Sequence, residues 1–195
     1  SLIEAYRGSR AVQDVEEVSA AGGDGVACRA LAVSLRGDRR DTVIVGDGTT
    51  RLRVDGRIDF DGLVGIYSEI QGEARWAVLV GGRVLGTEAS AIRREAGIWT
   101  GKVVSRGSGK IVTDAELPDD GSIDGCYLSV VNDNERDACY RIREAVREGG
   151  RTVIDVGDVG FVRGMVDELD YAKGLTYDFE VGAELRVVRT WAEWW

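Results

Sequence analysis

Turn chemistry constrains this chain more than any other feature of its sequence. Six Asp-Gly pairs fall at Asp24-Gly25, Asp47-Gly48, Asp55-Gly56, Asp61-Gly62, Asp120-Gly121 and Asp124-Gly125, and Gly-Gly pairs begin at Gly22, Gly81 and Gly149. Glycine adopts positive φ without a Cβ clash, and aspartate bonds to the backbone just ahead of it, so each pair is a natural point of chain reversal. The segments between reversals are short and rich in Val, Ile, Leu and aromatic residues. They read as strands at 26–35, 42–45, 50–54, 57–60, 63–68, 74–80 and 83–86. A second series falls at 98–105, 110–117, 126–131, 137–146, 151–156, 160–166 and 183–189. Short strands at that spacing predict an all-β chain built of antiparallel sandwiches or barrels.

Face parity refines this reading. Leu52, Val54, Ile58 and Phe60 alternate with Arg51, Arg53, Arg57 and Asp59, the pattern of an antiparallel ribbon with one solvated face. A two-residue loop at Asp55-Gly56 would place Val54 opposite Arg57 and mix the faces; a three-residue loop keeps Leu52 and Ile58 on one side. Trp76, Ala77, Val78, Leu79 and Val80 are apolar on both faces, so that strand needs cover on each side. Val12, Val15 and Val18 fall at helical spacing among turn signals, and residues 1–22 are read as an irregular or bulged strand. The pattern breaks near 91–97, where Arg93, Arg94 and Glu95 follow one another. The expected division is a β-sandwich over 1–96, followed by a second small β-sandwich or barrel-like module over 97–195.

Composition excludes several functions. The 195 residues contain no histidine, which removes the commonest general base and metal ligand. With 34 acidic against 25 basic residues, the net charge is −9, and long-range repulsion opposes both nucleic acid and anionic membrane as partners. No apolar run approaches the ~18 residues that span a bilayer. The chain opens at Ser1 with neither an initiator Met nor a signal-peptide pattern, and is expected to be a processed protein or a piece of a longer one.

Candidate chemistry is sparse. Ser105, Ser108 and Thr113 have no imidazole to activate them, and Lys110 near Ser108 is a weak serine-lysine arrangement. No phosphate loop or dinucleotide fingerprint is present, because the glycines flank strands rather than open helices. Neither a catalytic residue nor a cofactor is expected. Asn132, Asp133, Asn134, Glu135 and Asp137 cluster oxygen ligands, as do Asp119, Asp120 and Asp124, but the spacing of a calcium loop is absent and solvated turns are expected. Arg36-Gly37-Asp38 reads as a charged turn. Cys28, Cys126 and Cys139 lack zinc spacing. Cys126 shares a face with Leu128 and Val130, whereas Cys139 lies beside Arg141 on the polar face, so parity argues against a Cys126–Cys139 disulfide. Cys28 and Cys126 are expected as small buried thiols.

Aromatic side chains are the remaining resource. Trp191, Trp194 and Trp195 crowd the last five residues, and exposed indoles stack on sugar rings and other flat ligands. The alternative is a terminal strand whose indoles close a core or dock on a partner. These three residues are the candidate carbohydrate or partner contacts; no metal site is assigned.

Leu35 to Val45 (LRGDRRDTVIV), Thr50 to Gly56 (TRLRVDG), Ile58 to Gly62 (IDFDG) and Ala77 to Gly82 (AVLVGG) together resemble the C-terminal β-sandwich of heparinase II/III-like polysaccharide lyases. Gly101 to Val104, Tyr140 to Ile142 and Val156 to Asp158 are similar to a β-module that follows it in some members. The resemblance implies a non-catalytic C-terminal β region that buttresses a catalytic domain of the same parent chain and lines a polysaccharide cleft. It also implies a secreted or periplasmic protein. In that family a helical toroid carries the Tyr and His of catalysis, and no residue here matches them. Two other classes remain open: a free-standing carbohydrate-binding or adhesive module, and an assembly protein of a virion or cell surface.

Overall fold

The computed structural model describes residues 10–22, 28–133 and 138–195. The Asp24-Gly25 turn, the first two residues of the 26–35 strand, and Asn134, Glu135 and Asp137 lie outside the described residues. Strand accounts for 55% of the described residues and helix for 2%, so the all-β antiparallel expectation holds.

The first unit comprises residues 1–97 together with 190–195. Its strands are β1 (Val12–Glu17), β2 (Ala20–Ala21), β3 (Arg29–Leu35), β4 (Arg39–Val45), β5 (Leu52–Val54), β6 (Ile58–Asp61), β7 (Val64–Ile70), β8 (Glu73–Val80), β9 (Val84–Gly86) and β10 (Ala91–Arg93). The C-terminal strand of the chain, Thr190–Trp194, also belongs to it. A six-stranded antiparallel sheet runs β1-β3-β4-β7-β8 and ends on that C-terminal strand, while a five-stranded sheet runs β10-β9-β6-β5-β2. Side chains from the inner faces of both sheets form one core. Ala30, Ile44, Tyr67, Ala77 and Leu79 come from the larger sheet, and Leu52, Val54, Ile58, Phe60, Leu85 and Ile92 from the smaller. This is a sandwich in the physical sense, two sheets burying one face each.

Local chemistry explains the pairing. Val54 sits opposite Ile58 and Leu52 opposite Phe60, joined by the three-residue loop that face parity requires, with Asp55 at φ 51° and Gly56 at φ 66°. Strand β1 pairs with β3 through a register shift between Val12 and Asp14, so the ambiguous N-terminal spacing is that of a bulged strand. Gly82 permits a close crossing: a Cβ there would lie 2.0 Å from the Asp61 carbonyl oxygen and 2.5 Å from Gly62 Cα. Two buried carboxylates of this unit are each met by a solvent-exposed arginine. Arg57 donates to both carboxylate oxygens of Glu69 at 2.6 Å, and that hydrogen-bonded carboxylate raises the Arg57 pKa. Arg83 reaches Asp61 Oδ2 at 2.6 and 2.9 Å.

The second unit spans Ile98–Arg189. It contains β11 (Ile98–Gly107), β12 (Lys110–Thr113), β13 (Tyr127–Val130), β14 (Cys139–Arg141), β15 (Glu144–Glu148), β16 (Arg151–Asp155), β17 (Val162–Met165), a 3-10 turn at Tyr171–Lys173, β18 (Leu175–Tyr177) and β19 (Glu184–Val188). The chain then ends on β20 (Thr190–Trp194) in the first unit. Seven strands of the second unit run β14-β13-β19-β11-β12-β16-β15, with β17 and β18 as a separate ribbon. The long β11 joins two wings: residues 98–102 pair with β19, and Val103 to Gly107 pair with β12 across a register shift. Both wings feed one core, Leu128, Val130, Leu185 and Val187 from one and Val103, Ile111, Ala145 and Ile154 from the other.

Residues 190–195, placed with the second module by sequence, group with the first unit. The segment read as one strand over 137–146 is two, because Cys139–Arg141 pairs with β13 and Glu144–Glu148 with β16.

Candidate functional site

The indoles singled out by sequence lie on an edge strand, and strand alternation separates them. In β20, Trp191 sits opposite Leu79, Glu193 opposite Ala77 and Trp194 opposite Trp76. Ala77 and Leu79 are wholly buried, so Trp191 and Glu193 face the core while Trp194 shares the outer face with Trp76. Trp191 is half-buried against the core, with the Arg94 guanidinium 4.8 Å from its ring centroid. Arg94 is held in turn by Glu193 Oε1 at 2.5 Å. Trp195 donates its backbone N–H to the Arg75 carbonyl at 2.9 Å, and its ring lies 6.0 Å from that of Tyr67, whose phenol pKa burial pushes up.

Trp194 is 76% exposed. Its ring centroid is 5.9 Å from that of Trp76, tilted by 40°. Arg39 lies 5.4 Å from the Trp76 ring and donates to Asp41 through two bonds of 2.9 and 2.7 Å. The cross-strand register accounts for the grouping. Asp41 is opposite Ser68, Ser68 is opposite Trp76, and Trp76 is opposite Trp194, so the four lie in one row across the sheet. Arg39 lies two residues from Asp41 on the same face of β4. The row offers an exposed indole backed by a second indole and bordered by a hydrogen-bonding guanidinium-carboxylate pair.

Beyond that row the middle of this outer face is apolar, and the Arg29–Glu17 ion pair lies at its edge. Val43, Val64, Ile66, Val78 and Val80 are half-buried there, and Leu31 and Val45 are 38% and 50% exposed. The two-sided apolar pattern of residues 76–80 thus corresponds to one face sealed by the second sheet and one face that remains partly open.

The other candidates fall apart in space or serve the fold. Thr113 is buried, its hydroxyl donating to the Lys102 carbonyl at 2.8 Å and accepting from the Ala115 N–H at 3.1 Å. Ser105 and Ser108 are exposed. Asp120 accepts from the Ser122 N–H at 2.9 Å in an Asx turn, and the bonds from Ser122 lower its pKa. Asp133 forms a two-bond pair with Arg163 at 2.7 and 2.8 Å. Among the described residues, no group of three or more acidic or thiol side chains could hold a metal. Arg36, Gly37 and Asp38 form the β3–β4 turn, with Gly37 at φ 77° and Asp38 at φ 56°. All three cysteines are free thiols. Ile142 donates to the Cys126 carbonyl and Cys139 pairs with Ser129, the parity expected. Cys28 and Cys126 prove half-buried rather than buried, with burial raising both thiol pKa values.

Sequence reasoning missed Trp76, Arg39 and Asp41 as site residues. The available signal was parity: Trp76 and Trp194 both occupy outward positions of apolar strands, yet nothing local shows that those strands are neighbours. Comparison with family models, curated proteins and solved structures returns no match.

Proposed function

We propose that this chain is a non-catalytic β module that holds a polysaccharide against the outer face of its six-stranded sheet, as the C-terminal β region of a heparinase II/III-like lyase would beside its catalytic domain. The observation that carries this reading is the grouping of Trp194, Trp76 and Asp41 in one cross-strand row with Arg39 beside it. A sugar ring has an apolar face and a hydroxylated edge. An exposed indole meets the first, and a fixed guanidinium-carboxylate pair meets the second with both donors and acceptors. Trp194 is pre-positioned by Trp76, so little side-chain freedom is lost on binding.

The test is affinity electrophoresis of the full chain through gels containing neutral and uronate-bearing polysaccharides. At least one polymer should retard the protein, Trp194→Ala should abolish the retardation, and Trp76→Ala should weaken it. Absence of retardation in every gel, or a Trp194→Ala chain that is retarded like the parent, overturns the reading.

The valines of the same face favour a second reading, in which the sheet buttresses a protein domain of the same parent chain. Val43→Lys or Ile66→Lys would then release the partner domain, while glycan retardation would be absent from the start.

A further inference from the structure

We propose that the second unit binds small organic carboxylates in the cleft between the β11–β12 hairpin and the β17–β18 ribbon, with Arg106 as the residue that meets the anion. The cleft measures about 310 Å³ and is lined by Arg106, Gly107, Ser108, Phe161, Val162 and Tyr177. That is the lower end of small-molecule pockets, which run from ~300 Å³, and it suits a body the size of one ring.

The state of Arg106 carries the inference. Its side chain is only 12% exposed, and its guanidinium carbon lies 3.8 Å from the centroid of Tyr177 and 5.9 Å from that of Phe179. A cation this far from water is costly unless it is paired and hydrogen-bonded. Stacking on Tyr177 recovers part of that cost but satisfies no N–H. Nη1 is buried and hydrogen-bonds nothing. Nη2 has one acidic neighbour, Glu180 Oε2 at 3.5 Å, well beyond the ~2.7–2.9 Å of a charge-assisted bond. Glu180 itself is 79% exposed, so its charge is largely screened by solvent. The contrast with Arg163 and Arg39 is instructive, since each of those is matched by an aspartate through two short bonds.

The cleft is therefore lined by a desolvated, weakly neutralised cation held flat against an aromatic ring. A planar two-oxygen anion complements a guanidinium fork, and the Glu180 carboxylate, 3.5 Å from Nη2, neutralises that fork only loosely. The walls select what the carboxylate is attached to: Phe161, Val162 and Tyr177 favour an apolar or aromatic body. A phosphate dianion would need several more donors than one guanidinium and the Ser108 hydroxyl.

The experiment is an NMR titration of the full, ¹⁵N-labelled chain with benzoate, alongside the uncharged benzamide and inorganic phosphate. Benzoate should shift the amide signals of Gly107, Ser108 and Phe161 saturably; benzamide and phosphate should leave them in place. Glu180→Gln removes the competing carboxylate from the surface without touching the core, and should tighten benzoate binding about threefold, the scale of an exposed ion pair. Arg106→Ala should abolish the shifts. Since Arg106→Ala also strips a stacked side chain and could unfold the unit, the Glu180→Gln and benzamide arms decide independently. No saturable shift with benzoate, equal shifts with benzamide or phosphate, or unchanged affinity in Glu180→Gln overturns the proposal.

Discussion

Tyr140 shows how one residue ties burial to pH. Its ring packs edge-on against Phe161 at 5.2 Å and Phe179 at 5.9 Å, and its hydroxyl donates to Asp178 Oδ2 at 3.3 Å. Burial first, and the Asp178 charge second, push its phenol well above the ordinary tyrosine range. The folded chain therefore holds this proton where the unfolded chain releases it near pH ~10. Linkage gives the sign: the contribution is fully present below that pH and is lost as pH rises toward the folded value. Spectrophotometric titration should find Tyr140 ionising only with alkaline unfolding, and Tyr140→Phe should flatten the stability loss above pH ~10; an unchanged slope would count against this assignment. At this scale much was legible in advance. The Cys126 and Cys139 faces follow from alternation alone, whereas the Tyr140–Asp178 bond joins residues from distant segments and has no local signature.

Among the elements, β20 separates structural from exposed indoles. Trp191 faces the core and Trp194 faces outward on the same five-residue strand. Trp191→Ala should destabilise the first unit by about 2 kcal/mol, less than the ~3–5 kcal/mol of a fully buried aromatic because Trp191 is half-buried. Trp194→Ala should change stability by less than ~0.5 kcal/mol, and chemical denaturation followed by circular dichroism measures both. Equal losses would show that the two indoles do not differ in role. Element boundaries were legible where turns punctuate the chain and not where pairing partners change. Residues 110–117 read as one strand, yet β12 stops at Thr113, because the Thr113 hydroxyl captures the Ala115 N–H and curls the chain out of the ladder. Strands β10, β18 and β20 carry no alternation strong enough to announce them and exist by virtue of the neighbours they meet.

Taken as a whole molecule, the chain leaves its first unit after Gly97 and returns to it at Thr190. Both breakpoints are marked by pairing. Ile98 lies opposite Val188, so the second unit begins and ends on adjacent strands. Within the first unit, Thr190 lies opposite Val80, and a Cβ on Gly97 would lie 2.4 Å from the Gly82 carbonyl oxygen. Adjacent ends and a separate core are what an insertion requires. Residues 98–189 expressed alone should unfold cooperatively, and joining 97 to 190 through a short Gly-Ser linker should leave the first unit folded. A dispersed NMR spectrum from each piece is the expected result; collapse of either spectrum would show that the units depend on one another.

The sequence by itself determined the all-β class, the places where the chain reverses, and the face each residue takes within its own strand. Those properties rest on interactions a few residues long: positive φ at glycine, Asx turns and period-two alternation. Tertiary structure alone decided that the C-terminal strand returns to the first unit, that Trp194 meets Trp76 beside Arg39 and Asp41, and that Arg106 stacks on Tyr177. Each depends on which strand edge captures which segment across long stretches of chain, a choice made by total burial and register rather than by local preference.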